Sequence, residues 1–255
     1  MLAYLQMRRR RTVRTGDLVG PLRLTPLQER EVFRRLSRGR LIARVRRGLY
    51  LVPSRLPLGG RWSPDEALAL RTIIGDRGGR YQICGWNAFN RYGFSEQVPN
   101  LVYAYNDRIS GARRVGNVSM VLIKVATRRL GETERSRTYE GVEVRYSSRT
   151  RTLVDAVYDW ARFNTLPTAY DWIASDLKAG RTTVKDLVRV TLRYGDVGTL
   201  RRIGALLERE GTSDVQLRKI ERALPPSRSL IPWIHRRPKR GRIDRRWGII
   251  WNDRG

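Results

Sequence analysis

Arginine dominates the chemistry available to this chain. Fifty-two Lys and Arg stand against 24 Asp and Glu, a net charge of +28, and 47 of the 52 are arginine. The guanidinium fork matches phosphate oxygens and the O6/N7 edge of guanine bidentately, so the bias points toward a nucleic-acid partner. Groups for other chemistry are scarce. One cysteine, Cys84, and one histidine, His235, exclude an internal disulfide, a thiolate cluster and a multi-histidine metal site. They also argue against a nucleophile–His–acid triad. No G-x-x-x-x-G-K-S/T phosphate loop occurs, and Gly75-Asp76-Arg77-Gly78-Gly79 reads as a turn that ends a helix. Asp107, Glu140 and Glu143 come nearest to a metal-nuclease set. There Glu143-Val144-Arg145 has the acidic-x-basic order, but with Arg where a proton-shuttling Lys is needed. The expectation is therefore no catalytic residue, no metal ligand and no cofactor.

The charge is concentrated at the two ends. Residues 1–53 carry +11 and residues 225–255 carry +7, so 84 of the 255 residues supply 18 of the 28 charges. Concentration of this kind fits a polyanion partner bound with counterion release better than it fits a need for solubility. Forty per cent apolar residues and seven Trp allow a real core. The longest apolar stretch, Val118 to Ala126, is strand length and contains Lys124, so no spanning helix is expected and the chain reads as cytoplasmic.

The elements that would position the N-terminal arginines follow from local signals. Thr25-Pro26-Leu27-Gln28 predicts a capped helix start, continued through Val32, Phe33 and Leu36 and stopped at Gly39. A helix over about Leu2–Arg9 and a single helical turn at Asp17-Leu18-Val19 precede it. After it, Leu41–Val45 and Leu49–Pro53 flank Arg46-Arg47-Gly48, a hairpin with a basic tip. This order is that of a winged helix-turn-helix, whose second helix enters the major groove. Thr25, Gln28, Arg30, Glu31 and Arg34 would then face bases, and Arg35, Arg38, Arg44, Arg46 and Arg47 would meet phosphates. Glu29 falls near the apolar face of this helix, a local misfit. Winged helices also serve as protein-interaction modules.

The segment Gly39-Arg40-Leu41-Ile42-Ala43-Arg44-Val45-Arg46-Arg47-Gly48-Leu49-Tyr50 resembles the wing of the AbiEi-type antitoxins of type IV toxin–antitoxin and abortive-infection systems. The stretch from Tyr81 to Phe94, the strands after it, Thr150–Trp160 and the final Arg245–Asn252 follow in the order found in that family. The resemblance implies an antitoxin that represses its own operon at inverted repeats in double-stranded DNA. It also implies an antagonist, a nucleotidyltransferase-like toxin, that is counteracted without a stable complex. The expected fold class is α+β. A winged helix-turn-helix at 1–53 and a linker at 54–63 precede a larger mixed domain at 64–224, with strands first and helices after. A basic tail at 225–255 ends in a Trp-containing strand packed on that domain.

Within the larger domain, helices are expected from Ser63-Pro64-Asp65-Glu66, over Gly85–Gly93, Thr150–Phe163, Pro167–Ala179 and Thr199–Glu210, and from capped starts at Thr183 and Ser213. Three strands are expected, at Leu101–Tyr105, Val118–Ala126 and Val142–Tyr146, with Thr127 to Gly141 as a polar loop. In the tail, Arg236, Arg237, Lys239, Arg240 and Arg242 read as a flexible basic arm able to contact nucleic acid. Trp247 and Trp251 alternate along a strand, as core residues or as platforms for unpaired bases. An RNA-binding protein using this Arg/Trp surface is the main alternative, and a metal-dependent nuclease a weaker one. No membrane partner is expected.

Overall fold

In the computed structural model, which describes residues 1–56, 59–138 and 141–253, the N-terminal elements form around one apolar cluster. Helix α1 (Leu2–Met7) contributes Leu5, strand β1 (Thr12–Arg14) Val13, and helix α2 (Pro26–Arg38) Phe33. Leu18, Ile42 and Val52 complete the cluster, and Phe33 stacks on Tyr50 with ring centroids 4.7 Å apart. Helix α2 begins as its sequence dictates. Thr25 accepts from Gln28 N at 3.2 Å, Gln28 Oε1 accepts from Thr25 N at 2.8 Å, and Pro26 occupies the first turn. The expected helical turn at Asp17–Val19 is instead a run of hydrogen-bonded turns. Leu22 N donates to Leu18 O and Leu24 N to Val19 O, and Gly16 and Gly20 keep the segment too short to propagate a helix.

The wing is β2 (Ala43–Arg46) and β3 (Leu49–Leu51), and β1 adds to it to give a three-stranded antiparallel sheet in the order β1-β3-β2. Strand β1 has three residues and one buried side chain, too little pattern to be visible in the sequence. Its register makes the two faces of the sheet distinct. Val13, Tyr50 and Arg44 lie opposite one another in one row, and Thr12, Leu51 and Ala43 in another. Because alternate residues point to opposite faces, the Val13–Tyr50 row covers Phe33, whereas Leu49, Leu51 and Ala43 are buried on the other side. That second face turns toward helix α3 (Glu66–Gly75), whose start is capped by Asp65 accepting from Leu68 N at 2.6 Å.

A six-stranded mixed sheet follows in the order β6-β7-β5-β4-β9-β8. It contains β4 (Tyr81–Ile83), β5 (Val102–Asn106), β6 (Gly111–Val115), β7 (Val118–Lys124), β8 (Thr133–Arg137) and β9 (Glu143–Ser147). β5 and β7 are parallel, and β4/β5 and β6/β7 antiparallel. The segment read as a loop from Thr127 to Gly141 holds a 3-10 turn at Thr127–Arg129 and the strand β8. β8 and β6 are the two edges, mostly exposed and polar, so backbone pairing rather than an apolar alternation makes them strands. Contacts group Met1–Ile83, Pro99–Leu130 and Arg135–Arg145 as one compact unit and Cys84–Val98, Gly131–Glu134 and Tyr146–Gly255 as a second. The first unit thus joins the N-terminal elements to α3 and most of the sheet.

The second unit is helical: α4 (Gly85–Arg91), α5 (Arg149–Tyr158), α6 (Trp160–Phe163), α7 (Thr168–Lys178), α8 (Val184–Tyr194), α9 (Val197–Arg209) and α10 (Asp214–Ala223). α5 lies among α4, α7, α8 and α9 and is buried throughout Arg151–Val157. Its interior ion pair, Arg151 Nε to Asp155 Oδ1 at 2.9 Å, lies under the Tyr194 ring. The helix expected over Thr150–Phe163 breaks at Asp159, and Asn164 closes α6 in the left-handed region at φ 50°. Trp160, placed on its buried face by the sequence reading, is only half-buried. The capping box expected at Ser213 does not form: its carbonyl takes the first helical N–H groups, and Gln216 turns instead to Lys219 Nζ at 3.1 Å.

The tail is folded rather than loose. β10 (Ile231–Pro232), β11 (Arg242–Asp244) and β12 (Ile249–Trp251) make a three-stranded sheet in the order β10-β12-β11. Residues 246–248, expected to alternate along a strand with 249–251, belong instead to the turn between β11 and β12. Trp247 is completely buried against Gly204 and donates from Nε1 to Glu208 Oε2 at 2.6 Å.

Candidate nucleic-acid interface

Helix α2 can present a fixed outer face only if its inner face is anchored, and the anchor is the residue that looked misplaced. Glu29 is fully buried and accepts from Gly16 N at 2.7 Å and Leu18 N at 2.9 Å. Its carboxylate satisfies two backbone donors of the turn segment that stands before α2, so the apparent misfit is a tertiary clamp. With Glu29 and Phe33 inward, Arg30, Arg34, Arg35 and Arg38 are all exposed.

The outer face is not uniformly available. Glu31 takes Arg34 bidentately, Nε to Oε2 at 2.7 Å and Nη2 to Oε1 at 2.6 Å, and Arg35 Nε at 3.0 Å. These two guanidinium groups hold the Glu31 carboxyl down at about 2. Arg34 and Arg35, expected to reach a base and a phosphate, thus share one carboxylate on the helix itself. Thr25 and Gln28, also expected to face bases, spend their oxygens on the capping box. Arg30 Nε donates to Pro26 O at 3.1 Å, which leaves its two terminal nitrogens outward. Sequence reasoning passed over Leu27. It is 71% exposed, one and two turns from Arg30, Glu31 and Arg34 on the same stripe, where an apolar side chain can meet a thymine methyl. Its signal is an apolar residue out of register with Phe33 and Leu36.

The wing divides its arginines. A β-bulge lies between Arg44 and Arg46: Arg44 pairs with Tyr50 and Arg46 with Leu49, leaving Val45 as the extra residue. Arg46 therefore lies in one row with Leu49 and with Arg14 of β1, on the face turned toward α3. There Arg46 donates to Asp76 from Nε at 2.6 Å and Nη2 at 2.9 Å, and Arg14 Nη2 reaches the same carboxylate at 2.9 Å. The bulge thus aims Arg46, expected to meet phosphate, at the Asp76 carboxylate. Arg44 and Arg47 are exposed, and Gly48 closes the tip in the left-handed region at φ 77°. Among the described residues, no carboxylate lies within ion-pair distance of Arg30, Arg38, Arg44 or Arg47.

No family model and no curated protein matches this chain. Its fold is similar to that in the crystal structure of the RV2827C protein from Mycobacterium tuberculosis, with a TM-score of 0.60 and 15% identity over 97% of this chain and 88% of that one. At that identity the likeness shows the fold, an α+β architecture, and nothing of activity.

In the second unit the tail cations Arg236, Arg237, Lys239, Arg240 and Arg242 are all exposed, but their segment is clipped in place. Buried Asn252 accepts from Ile234 N at 2.8 Å and donates to Ile234 O at 2.9 Å and Pro238 O at 3.1 Å, while Arg237 donates to Asp253 O at 2.8 Å. The indoles are core elements: Trp233 stacks on Tyr170 at 3.7 Å, and Trp247 is covered. A cleft of about 630 Å³ beside Trp251 mixes Arg209 and Arg242 with Glu208, Asp244 and Asp253, a charge balance unlike that of a phosphate track.

The two described nuclease candidates each lie against arginine. Asp107 accepts from Arg80 N at 2.9 Å and lies near Arg80 and Arg108, and Glu143 lies 3.4 Å from Arg145 on β9. Glu140 lies outside the described residues. No group of three His, Cys, Asp or Glu among the described residues is placed to hold a metal, and Cys84 is buried. No described helix is long and apolar enough to cross a membrane.

Proposed function

We propose that this chain is a cytoplasmic, sequence-specific DNA-binding antitoxin of the AbiEi type. It represses its own operon through α2 and the wing and counteracts a nucleotidyltransferase-like toxin without a stable complex. The observation that carries the DNA-binding half is the anchored helix and hairpin: Arg30, Arg38, Arg44 and Arg47 point outward without a described carboxylate partner, while Glu29 and Phe33 fix the helix beneath them. Arg30, with Leu27, reads bases; Arg38, Arg44 and Arg47 meet phosphates and set the register. The antitoxin half is supported by the sequence resemblance.

The test is a titration of the full chain against its own upstream DNA and against scrambled duplex, over a salt series. Arg30→Ala is expected to cost about 1–3 kcal/mol on upstream DNA and much less on scrambled DNA. Arg44→Ala and Arg47→Ala are expected to weaken both alike, each lowering the salt slope by about 0.9. Equal losses for all three on both duplexes would refute base reading by α2. The second half requires a nucleotidyltransferase-like toxin encoded beside the chain, and co-expression with it is the test: no such neighbour, or growth that the chain fails to restore, refutes the antitoxin role.

A further inference from the structure

A carboxylate at the C-terminal end of a helix works against the helix dipole and needs compensation. Asp76 stands at that position on α3, with its side chain only 6% exposed. Two arginines from different strands of the winged unit converge on it. Arg14 and Arg46 flank Leu49 across the sheet, and the bulge at Val45 brings Arg46 into that row. Without the extra residue, Val45 would lie opposite Leu49, and Arg46 would stand at the hairpin tip beside Arg47. The two arginine side chains remain 55% and 40% exposed above a carboxylate that is covered. A cleft of about 560 Å³ beside them adds Arg11 and Arg71, so Asp76 sits in a strongly cationic surface.

We propose that Asp76 is an affinity-setting residue of the DNA interface, a resident substitute for a backbone phosphate that withholds Arg14 and Arg46 from DNA and leaves the wing to engage through Arg44 and Arg47. This rests on the DNA-binding reading above. The Arg46 hydrogen bonds hold the Asp76 carboxyl below its ordinary range, so the substitute anion is present at neutral pH. Every site on α2 and the wing where a carboxylate meets arginines has the same consequence: Glu31 masks Arg34 and Arg35, and Asp76 masks Arg14 and Arg46. Non-specific binding is governed by the number of phosphates neutralised, so an arginine held by an internal carboxylate lowers it.

The experiment uses the full chain and two readouts. In the wild type, the guanidinium Nε–H resonances of Arg14 and Arg46 are expected to hold when duplex DNA is added, while those of Arg44 and Arg47 shift. With Asp76→Asn, two further phosphate contacts are expected, raising the salt slope on scrambled DNA by about 1.8. That enlarges the affinity ratio between 50 and 200 mM salt about tenfold. Adding Arg14→Ala and Arg46→Ala to Asp76→Asn is expected to return the slope to the wild-type value. Arg46 shifting with DNA in the wild type overturns the inference, as does an unchanged slope in a folded Asp76→Asn chain. Should Asp76→Asn fail to fold, the wild-type resonances decide alone. If Arg44 and Arg47 do not shift either, the DNA-binding reading falls and this inference with it.

Discussion

Replacing Glu29 tests whether α2 is held as described. Its two oxygens each take a backbone N–H, from Gly16 at 2.7 Å and Leu18 at 2.9 Å, in a fully buried setting. Hydrogen bonds to a charged acceptor contribute about 1.5–3 kcal/mol each, and two donors are orphaned when the acceptor is removed. Glu29→Ala is therefore expected to cost about 3–5 kcal/mol of the stability of the N-terminal cluster. Glu29→Gln keeps the shape but offers one oxygen and one NH2 group, which sets a donor against a donor; about 1.5–3 kcal/mol is expected. The assay is native-state hydrogen exchange at the Gly16 and Leu18 amides, alongside urea unfolding. Their protection should collapse in Glu29→Ala, and upstream-DNA affinity should fall because the helix loses its anchor. A Glu29→Ala chain within about 0.5 kcal/mol of wild type with both amides still protected would refute the clamp, since that is the range of an inconsequential surface change.

The buried indole of the tail gives a second prediction: Trp247→Ala is expected to cost about 3–5 kcal/mol in urea unfolding, whereas a base-stacking platform would change binding and leave stability alone. Gly204→Ala attacks the same contact from the other side. Its new methyl would run into the Trp247 ring, and a loss of about 1–3 kcal/mol in the same assay is expected. For Glu31, whose carboxyl lies at about 2 against an ordinary 4.5, the lowered value means that pairing with Arg34 and Arg35 persists above the ordinary value and is lost only as pH falls through about 2. An NMR titration of the Glu31 carboxyl with a midpoint near 4.5 would remove the masking of Arg34. Asn252→Ala should release the segment from Ile234 to Pro238, cost about 2–3 kcal/mol, and expose the Ile234 amide to exchange.

Much of the architecture was written locally. The Thr25–Gln28 box and Pro26 fix where α2 begins, Asp65, Thr183 and Asp196 start later helices by accepting from the third residue on, and Gly48 marks the hairpin tip. Such signals act within a few residues and need no distant partner, although the box expected at Ser213 does not form. The elements missed in the sequence reading, β1, β4, β6, β8, β10 and β11, are short or lie at sheet edges. Their strand character comes from a partner backbone distant in sequence, and their side chains carry little apolar alternation.

The sequence by itself determined that the chain is strongly basic, that its cations are forked guanidinium groups, and that its termini hold most of the surplus. Which of those arginines face outward uncommitted was decided by the tertiary structure. Arg44, Arg46 and Arg47 look equivalent in a string, yet one bulged residue sends Arg46 to Asp76 thirty positions away. Glu29 looked like an error on an apolar face until the turn at Gly16 and Leu18 supplied the two donors that require it. Composition fixes how much charge a chain carries, but the effective charge a partner meets depends on which ions already hold one another. That pairing is a property of side-chain directions and distances, which arise only when remote segments pack together.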